Sequence, residues 1–322
     1  MNSEKNKQSD VFWLKNFLHP RYWFALFSVA LLWMGTRLPY SVQMNAGSAL
    51  GRVLYYFMPW RRIVVETNTN LIFPDWSAEK KNQFVKKNFR SLGMSLIETS
   101  LSWWGKDKML APLCHIEGLE HLQNALDQGK GVILLSAHFT CLEIGGRLLS
   151  MHQPFYVIYK SSKNPLYETV IKRSREEHFT RAIDRHDMRS FIRSLKDNKA
   201  VWYAPDQDFG PWHSVFAPLM GVMTASLKAP AKVAKMSGAL VVPFFPQGMD
   251  ENKGYKLTIL PALENYPVDD EVEDARRINE VIETQVKKVP EQYLWVHCRF
   301  KTRPEGEPPV YPVRKRFWKK KA

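Results

Sequence analysis

Cysteine is scarce: the chain has three in 322 residues, Cys114, Cys141 and Cys298, and no two form a Cys-x-x-Cys pair. That sparseness excludes a disulfide-stapled scaffold and a zinc knuckle, and it reads as reduced thiols facing a cytoplasm. The sequence also has no His-Glu-x-x-His, Gly-x-Ser-x-Gly, Walker loop or Gly-x-Gly-x-x-Gly fingerprint. Zincin chemistry, the serine elbow, P-loop phosphoryl transfer and dinucleotide binding therefore have no foothold. Acidic residues are in deficit, with 32 Asp and Glu against 46 Lys and Arg, a net charge of +14. A surplus of that size points to a polyanionic partner.

The strongly apolar stretch Tyr22–Gly35 carries no charge. As a helix it covers roughly 21 Å, short of a hydrocarbon core of about 30 Å. Lys5, Lys7, Lys15 and Arg21 precede it, while Trp23, Trp33 and Tyr40 stand near its ends. These features predict a retained membrane-anchoring helix, with an interfacial helix, a buried helix or a cleaved signal peptide as alternatives. Basic and aromatic residues cluster again at Tyr55–Arg62, at Lys80–Arg90 and in the tail Arg314–Lys321. With the apolar N-terminus, they favour an anionic bilayer over nucleic acid.

Apolar residues make up 45% of the chain, enough for a sizeable core. Val132–Leu135 is a continuous apolar run, as expected of a strand covered on both faces. Strand patterns recur at 155–159, 200–204, 239–244 and 256–260, with a shorter signal near Ile116. Helical spacing covers 76–104, 141–151, 166–179, 188–196, 224–235 and 272–288. This alternation predicts an α/β fold with a largely buried mixed sheet. Residues 1–40 read as basic flank and anchor, 41–304 as a single catalytic domain, and 305–322 as a basic tail.

His138 lies just beyond the apolar strand and Glu143 five residues later, in the first turn of the next helix. A carboxylate there can hold one ring nitrogen while the other takes a proton from a hydroxyl. The spacing alone fits that base-plus-orienter pair or two unrelated side chains. Asp206 and Asp208, in Pro-Asp-Gln-Asp, read alone as a loop with capped turns. Arg299, Lys301 and Arg303 alternate, so an extended segment would put them on one face, either solvated or gripping phosphates. Phe216, Leu219, Met220 and Met223 fit either an acyl tunnel or ordinary core.

The segment GVILLSAHFTCLEIGG resembles the His-x4-acidic motif of the late lauroyl and myristoyl acyltransferases of lipid A biosynthesis. LHPRYW at 18–23, YKSSKNPLYETVIKRSR at 159–175, VWYAPDQDFGPWHSVFAPLMG at 201–221 and EQYLWVHCRFKTRPEG at 291–306 extend the resemblance over nearly the whole chain, most closely to its lauroyl-transferring branch. Two departures are mild: Lys160-Ser161 stands where the family often has Arg-Pro, and Cys298 where an arginine is common.

The resemblance implies a glycerol-phosphate-acyltransferase-like domain. It also implies transfer of a fatty acyl chain, laurate by the nearest branch, from an acyl carrier protein thioester to a hydroxyl of the Kdo-bearing tetra-acylated lipid A precursor. It gives His138 the base role and Glu143 the acidic partner's, and carries Arg175 and Asp206 over as further catalytic residues. Asn164, Asp208, Arg299, Lys301 and Arg303 follow as substrate-binding candidates, and Phe216, Leu219 and Met223 as tunnel candidates. No metal or cofactor is implied beyond the acyl carrier protein donor, and the expected location is the bacterial inner membrane, with the catalytic domain facing the cytoplasm. Transfer to the penta-acylated precursor, another glycerolipid or glycolipid acceptor, and a non-enzymatic basic membrane protein are the rival readings.

Overall fold

The computed structural model describes residues 17–250 and 253–313. The tail Arg314–Lys321 and the flanking Lys5, Lys7 and Lys15 lie outside the described residues. Helices fill the N-terminal third: α1 (Trp23–Gly35), α2 (Tyr40–Phe57), α3 (Pro59–Ile72), α4 (Ala78–Trp104) and a single turn, α5 (Asp107–Leu110). Ser77 caps α4, its hydroxyl accepting from the Lys80 amide at 3.2 Å. After β1 (Cys114–Glu117) the chain alternates through α6 (Leu119–Asp127), β2 (Val132–Leu135), α7 (Leu142–Ser150), β3 (Tyr156–Tyr159), α8 (Pro165–His178), β4 (Arg181–Asp184), α9 (Met188–Lys196) and β5 (Ala200–Tyr203). The hairpin β6 (Ser214–Leu219) and β7 (Val222–Leu227) follows, then α10 (Ala229–Ser237), β8 (Leu240–Gly248), β9 (Tyr255–Ile259) and α11 (Glu271–Lys288).

Seven strands make one sheet in the order β1-β9-β8-β2-β5-β3-β4. β8, β2, β5, β3 and β4 run parallel, while β9 pairs antiparallel with β8 and carries β1 alongside it. This is the mixed sheet expected from the alternating pattern. All four residues of β2 are buried, each contributing roughly 1.5–3 kcal/mol of apolar burial. The strand that ends at the motif histidine is therefore firmly seated.

Three expectations need correction. The membrane-anchoring helix is not supported: α1 has 13 residues before the chain turns at Thr36 and Arg37, and no helix among the described residues is long and apolar enough to cross a membrane. Instead α1 lies along the domain, where Ala25 packs with Phe17, Tyr22 and Leu166 and the Ser28 hydroxyl meets that of Tyr167 at 2.6 Å. Its other side is apolar and bare, with Phe24 83% exposed and Trp23, Phe27 and Leu31 more than half exposed. The helix expected over 224–235 is displaced, because Val222–Leu227 pairs with β6 and Pro230 sits in the first turn of α10. Finally, Arg299 lies in a turn and Lys301 and Arg303 in irregular chain, none of them in a strand.

α2 and α4 cross at backbone contact through Gly47, Gly51 and Gly93. A Cβ on Gly93 would sit 2.2 Å from the Gly51 nitrogen and 2.3 Å from the Gly47 oxygen. Backbone cannot yield as a side chain does. Gly93→Ala is therefore expected to destabilise the protein by at least about 1–3 kcal/mol, seen as a lower Tm in thermal unfolding. An unchanged Tm would mean that the crossing is looser than described.

Candidate active site

β2 and β5 are parallel neighbours, with Leu135 opposite Tyr203, so their C-terminal ends open at the same edge of the sheet. Ligand sites of open α/β sheets collect at such edges. His138 follows β2 and Asp206 follows β5, and the two meet there. The Asp206 carboxylate accepts from the His138 ring Nδ1 at 2.6 Å through Oδ1, and from the His138 backbone N–H at 2.9 Å through Oδ2. The Tyr293 hydroxyl donates to the same Oδ2 at 2.8 Å.

Three donors on one buried carboxylate settle its charge. Burial pushes Asp206 up, but the His138 charge, the hydrogen bonds from its ring and backbone, and the Tyr293 hydroxyl outweigh that and hold it down at about 2. An ionised carboxylate only accepts, so Nδ1 carries the ring proton and Nε2 is left with its lone pair. Burial pulls His138 down, yet the charge and hydrogen bond of Asp206, with the Glu143 charge added, leave it above its ordinary value.

Glu143 is not the ring's partner. Its Oε1 accepts from Arg175 Nη2 at 2.7 Å, so the expected His138–Glu143 hydrogen bond is replaced by an ion pair one step away. The reason is direction: α7 starts at Leu142 and carries Glu143 towards α8, which presents Arg175. The Arg175 guanidinium also lies over the Tyr159 ring at 5.1 Å, and its buried Nε has no hydrogen-bond partner among the described residues. A largely buried guanidinium with a spare donor, linked to the imidazole's surroundings through Glu143, is suited to an anionic or developing-oxyanion ligand.

The remaining candidates divide. Asp208 accepts from the Gly210 amide, the Thr302 amide and the Thr302 hydroxyl, so it ties the loop after β5 to the C-terminal segment. Asn164 caps α8, its side-chain oxygen accepting from the Leu166 amide at 3.0 Å. Arg299 is 3% exposed and donates to the Ala225 carbonyl, Lys301 is exposed, and Arg303 pairs with Glu307. Arg303 also donates to the Met223 carbonyl, so the two arginines turn to β7 while Lys301 stays in solvent. In the hairpin, Leu219 is 2% exposed in the core while Met223 is 41% exposed opposite Pro218. Phe216 shares the face of Pro218 and Met223, so Leu219 is separated from the other two tunnel candidates. Cys141 is buried, and burial with the Glu98 charge raises its thiol well above the ordinary value, which makes it a poor nucleophile.

Sequence reasoning gave no role to Tyr293, His297 or Gln207. The His297 ring lies 6.2 Å from that of His138, and its Nε2 meets the Gln207 side-chain nitrogen at 3.3 Å. Burial and the neighbouring His138 charge lower His297 to about 4, so it is neutral and accepts the Gln207 amide proton. The signal available was their place inside the two blocks 201–221 and 291–306, which fold against one another.

The profile of a family described as bacterial lipid A biosynthesis acyltransferase matches residues 13–302. The chain is 39% identical over 295 residues to the lipid A biosynthesis lauroyltransferase of Escherichia coli (strain K12), covering 91% of this chain and 96% of that one. It is 38% identical over 298 residues to the palmitoleoyltransferase of the same organism, covering 92% and 97%. To that organism's lipid A biosynthesis myristoyltransferase it is 30% identical over 298 residues, covering 91% of each.

Proposed function

Because the chain belongs to the bacterial lipid A biosynthesis acyltransferase family, we propose that it moves a medium or long acyl chain, laurate by similarity, from an acyl carrier protein thioester to a hydroxyl of the Kdo-bearing tetra-acylated lipid A precursor. The observation that carries the reading is the Asp206-oriented His138, with Nε2 left as a free acceptor at the open edge of the sheet. The acceptor hydroxyl gives its proton to Nε2 as its oxygen attacks the thioester carbonyl. The C–S bond then breaks, and the proton passes from the imidazolium to the departing thiolate. Asp206 stabilises the imidazolium in between. Arg175, held by Glu143, is the cation for the substrate's negative charge.

The chain works at the surface of the inner membrane, its site facing the cytoplasm where acyl carrier protein is found. The bare apolar side of α1, with Arg21 and Arg37 exposed beside it, supports adsorption without a span. Exposed Lys80, Lys86, Lys87 and Arg90 on α4 suit an acidic carrier protein.

The test offers purified protein both tetra- and penta-acylated Kdo-lipid A precursors, with acyl carrier proteins bearing ten to fourteen carbons, and reads the products by mass spectrometry. One acyl gain on the tetra-acylated lipid is expected. Gain only on the penta-acylated lipid would move the protein to the later, myristoyl-type step, and no gain on either would remove the lipid A acceptor from the reading.

A further inference from the structure

We propose that Tyr293 is a positioning residue of this site, the far end of a Tyr293–Asp206–His138 chain that sets how basic the catalytic imidazole is. The inference rests on the reading of His138 as the base. Tyr293 is 4% exposed, and its hydroxyl has Asp206 Oδ2 as its partner at 2.8 Å. Its ring is fixed edge-on by Phe139 and Trp295, at centroid distances of 5.7 and 4.6 Å.

The backbone around it is fixed as strictly. Tyr293 bridges Phe139 in antiparallel fashion, and the Leu294 amide donates to the His138 carbonyl at 2.9 Å. From α4, the Asn88 side chain donates to the Glu291 and Tyr293 carbonyls, both at 2.8 Å. From α3, Asn68 donates to the carbonyls of Trp295 and His297, and Arg61 to that of Val296. Two buried asparagines thus hold down the segment that carries one phenol. That investment fits a hydroxyl whose position matters: the phenol donates to Asp206 on one side and meets the Arg299 guanidinium on the other.

The chemistry follows from charge. Asp206 is a buried anion with three donors, and each spreads part of its charge. Removing the phenol concentrates that charge towards the imidazole, stabilises the imidazolium and raises the pH at which His138 becomes a base. The other groups facing His138 are Glu143 from α7 and the neutral His297, while Arg175 acts through Glu143. Arg299 donates to the Tyr293 hydroxyl oxygen, the Tyr203 phenol at the end of β5 faces Asp206, and Arg61 faces His297. None of them donates to Asp206. Burial keeps the Tyr293 hydroxyl protonated far above neutral pH, so towards Asp206 it is always the donor, while its oxygen accepts from Arg299.

The test uses the full chain in detergent and follows the His138 imidazole by NMR titration, its resonance identified by its loss in His138→Gln. Tyr293→Phe keeps the ring and removes the donor. Its His138 titration should move up by roughly 0.5–1 unit, and the acidic limb of kcat should move with it, while KM for donor and acceptor stays near wild type. Replacing Tyr293 with 3-fluorotyrosine, a stronger donor of nearly the same shape, should move both in the opposite direction. This second variant keeps the test open if Tyr293→Phe does not fold. An unmoved titration in either variant, even with lower activity, overturns the inference. The titration needs no substrate, so absence of acyl transfer in the wild type would count against the proposed function alone.

Discussion

His138→Ala is expected to lower acyl transfer by about 10²–10⁴-fold, the range for losing a positioned general base. The loss should fall on kcat, since the imidazole acts on a proton in flight and contributes little to holding a lipid. A variant within threefold of wild type, still unfolding cooperatively, would show that the acceptor hydroxyl is activated by another group. The pH profile gives the same chemistry independently. A general base works only when neutral, and Asp206 with Glu143 holds His138 above its ordinary 6.5. Wild-type kcat should therefore climb with pH through a midpoint above 6.5 and level off on the alkaline side. A midpoint below 6.5 would mean that burial, not the carboxylates, controls the ring.

Asp206→Asn is expected to cost roughly 10³-fold or more in kcat, by the tautomer argument that applies wherever a carboxylate orients a catalytic imidazole. Asp206 receives three donors: the His138 ring, the His138 amide and the Tyr293 hydroxyl. Asparagine has one acceptor oxygen and turns an amide N–H₂ towards whichever donors are left. If that group meets Nδ1, the ring proton must move to Nε2, where the attacking hydroxyl needs a lone pair. If it meets the other two donors, the loop is pushed open. The residual activity should also lose its acidic limb, because burial without the carboxylate draws the imidazole below 6.5. Loss of less than tenfold, with the limb unmoved, would return the orienting role to Glu143.

What could be read from the residues follows how local each signal is. β2 and β5 announce themselves as apolar runs, and α9 ends where its amphipathic pattern ends. β4 reads Arg-Ala-Ile-Asp, charged at both ends, and no short window of that kind looks like a strand until β3 lies beside it. The His138–Glu143 spacing pointed to a carboxylate other than the one that bonds the ring, for a related reason. Five residues make a pair conspicuous, whereas His138 and Asp206 are far apart in the chain and meet only because β2 and β5 are neighbours in the sheet. Arg299 misled through its alternation with Lys301 and Arg303. Once the Asp208 carboxylate holds Thr302, the chain turns there and Arg299 is buried against Ala225. Asn164, a substrate-binding candidate by resemblance, has a local duty as a helix cap.

The tie between residues 291–297 and the His138 loop also has a meaning in time. Chains emerge from the ribosome N-terminus first, and every strand of the seven-stranded sheet has been made by Ile259. A nascent chain of that length already contains His138 and Asp206, but neither the phenol that completes the carboxylate's donors nor the backbone that anchors the histidine loop. The strands are translated before the residues that complete the site. A chain stopped at Ile259 would hold every strand of that sheet and still lack part of the site's hydrogen-bond network.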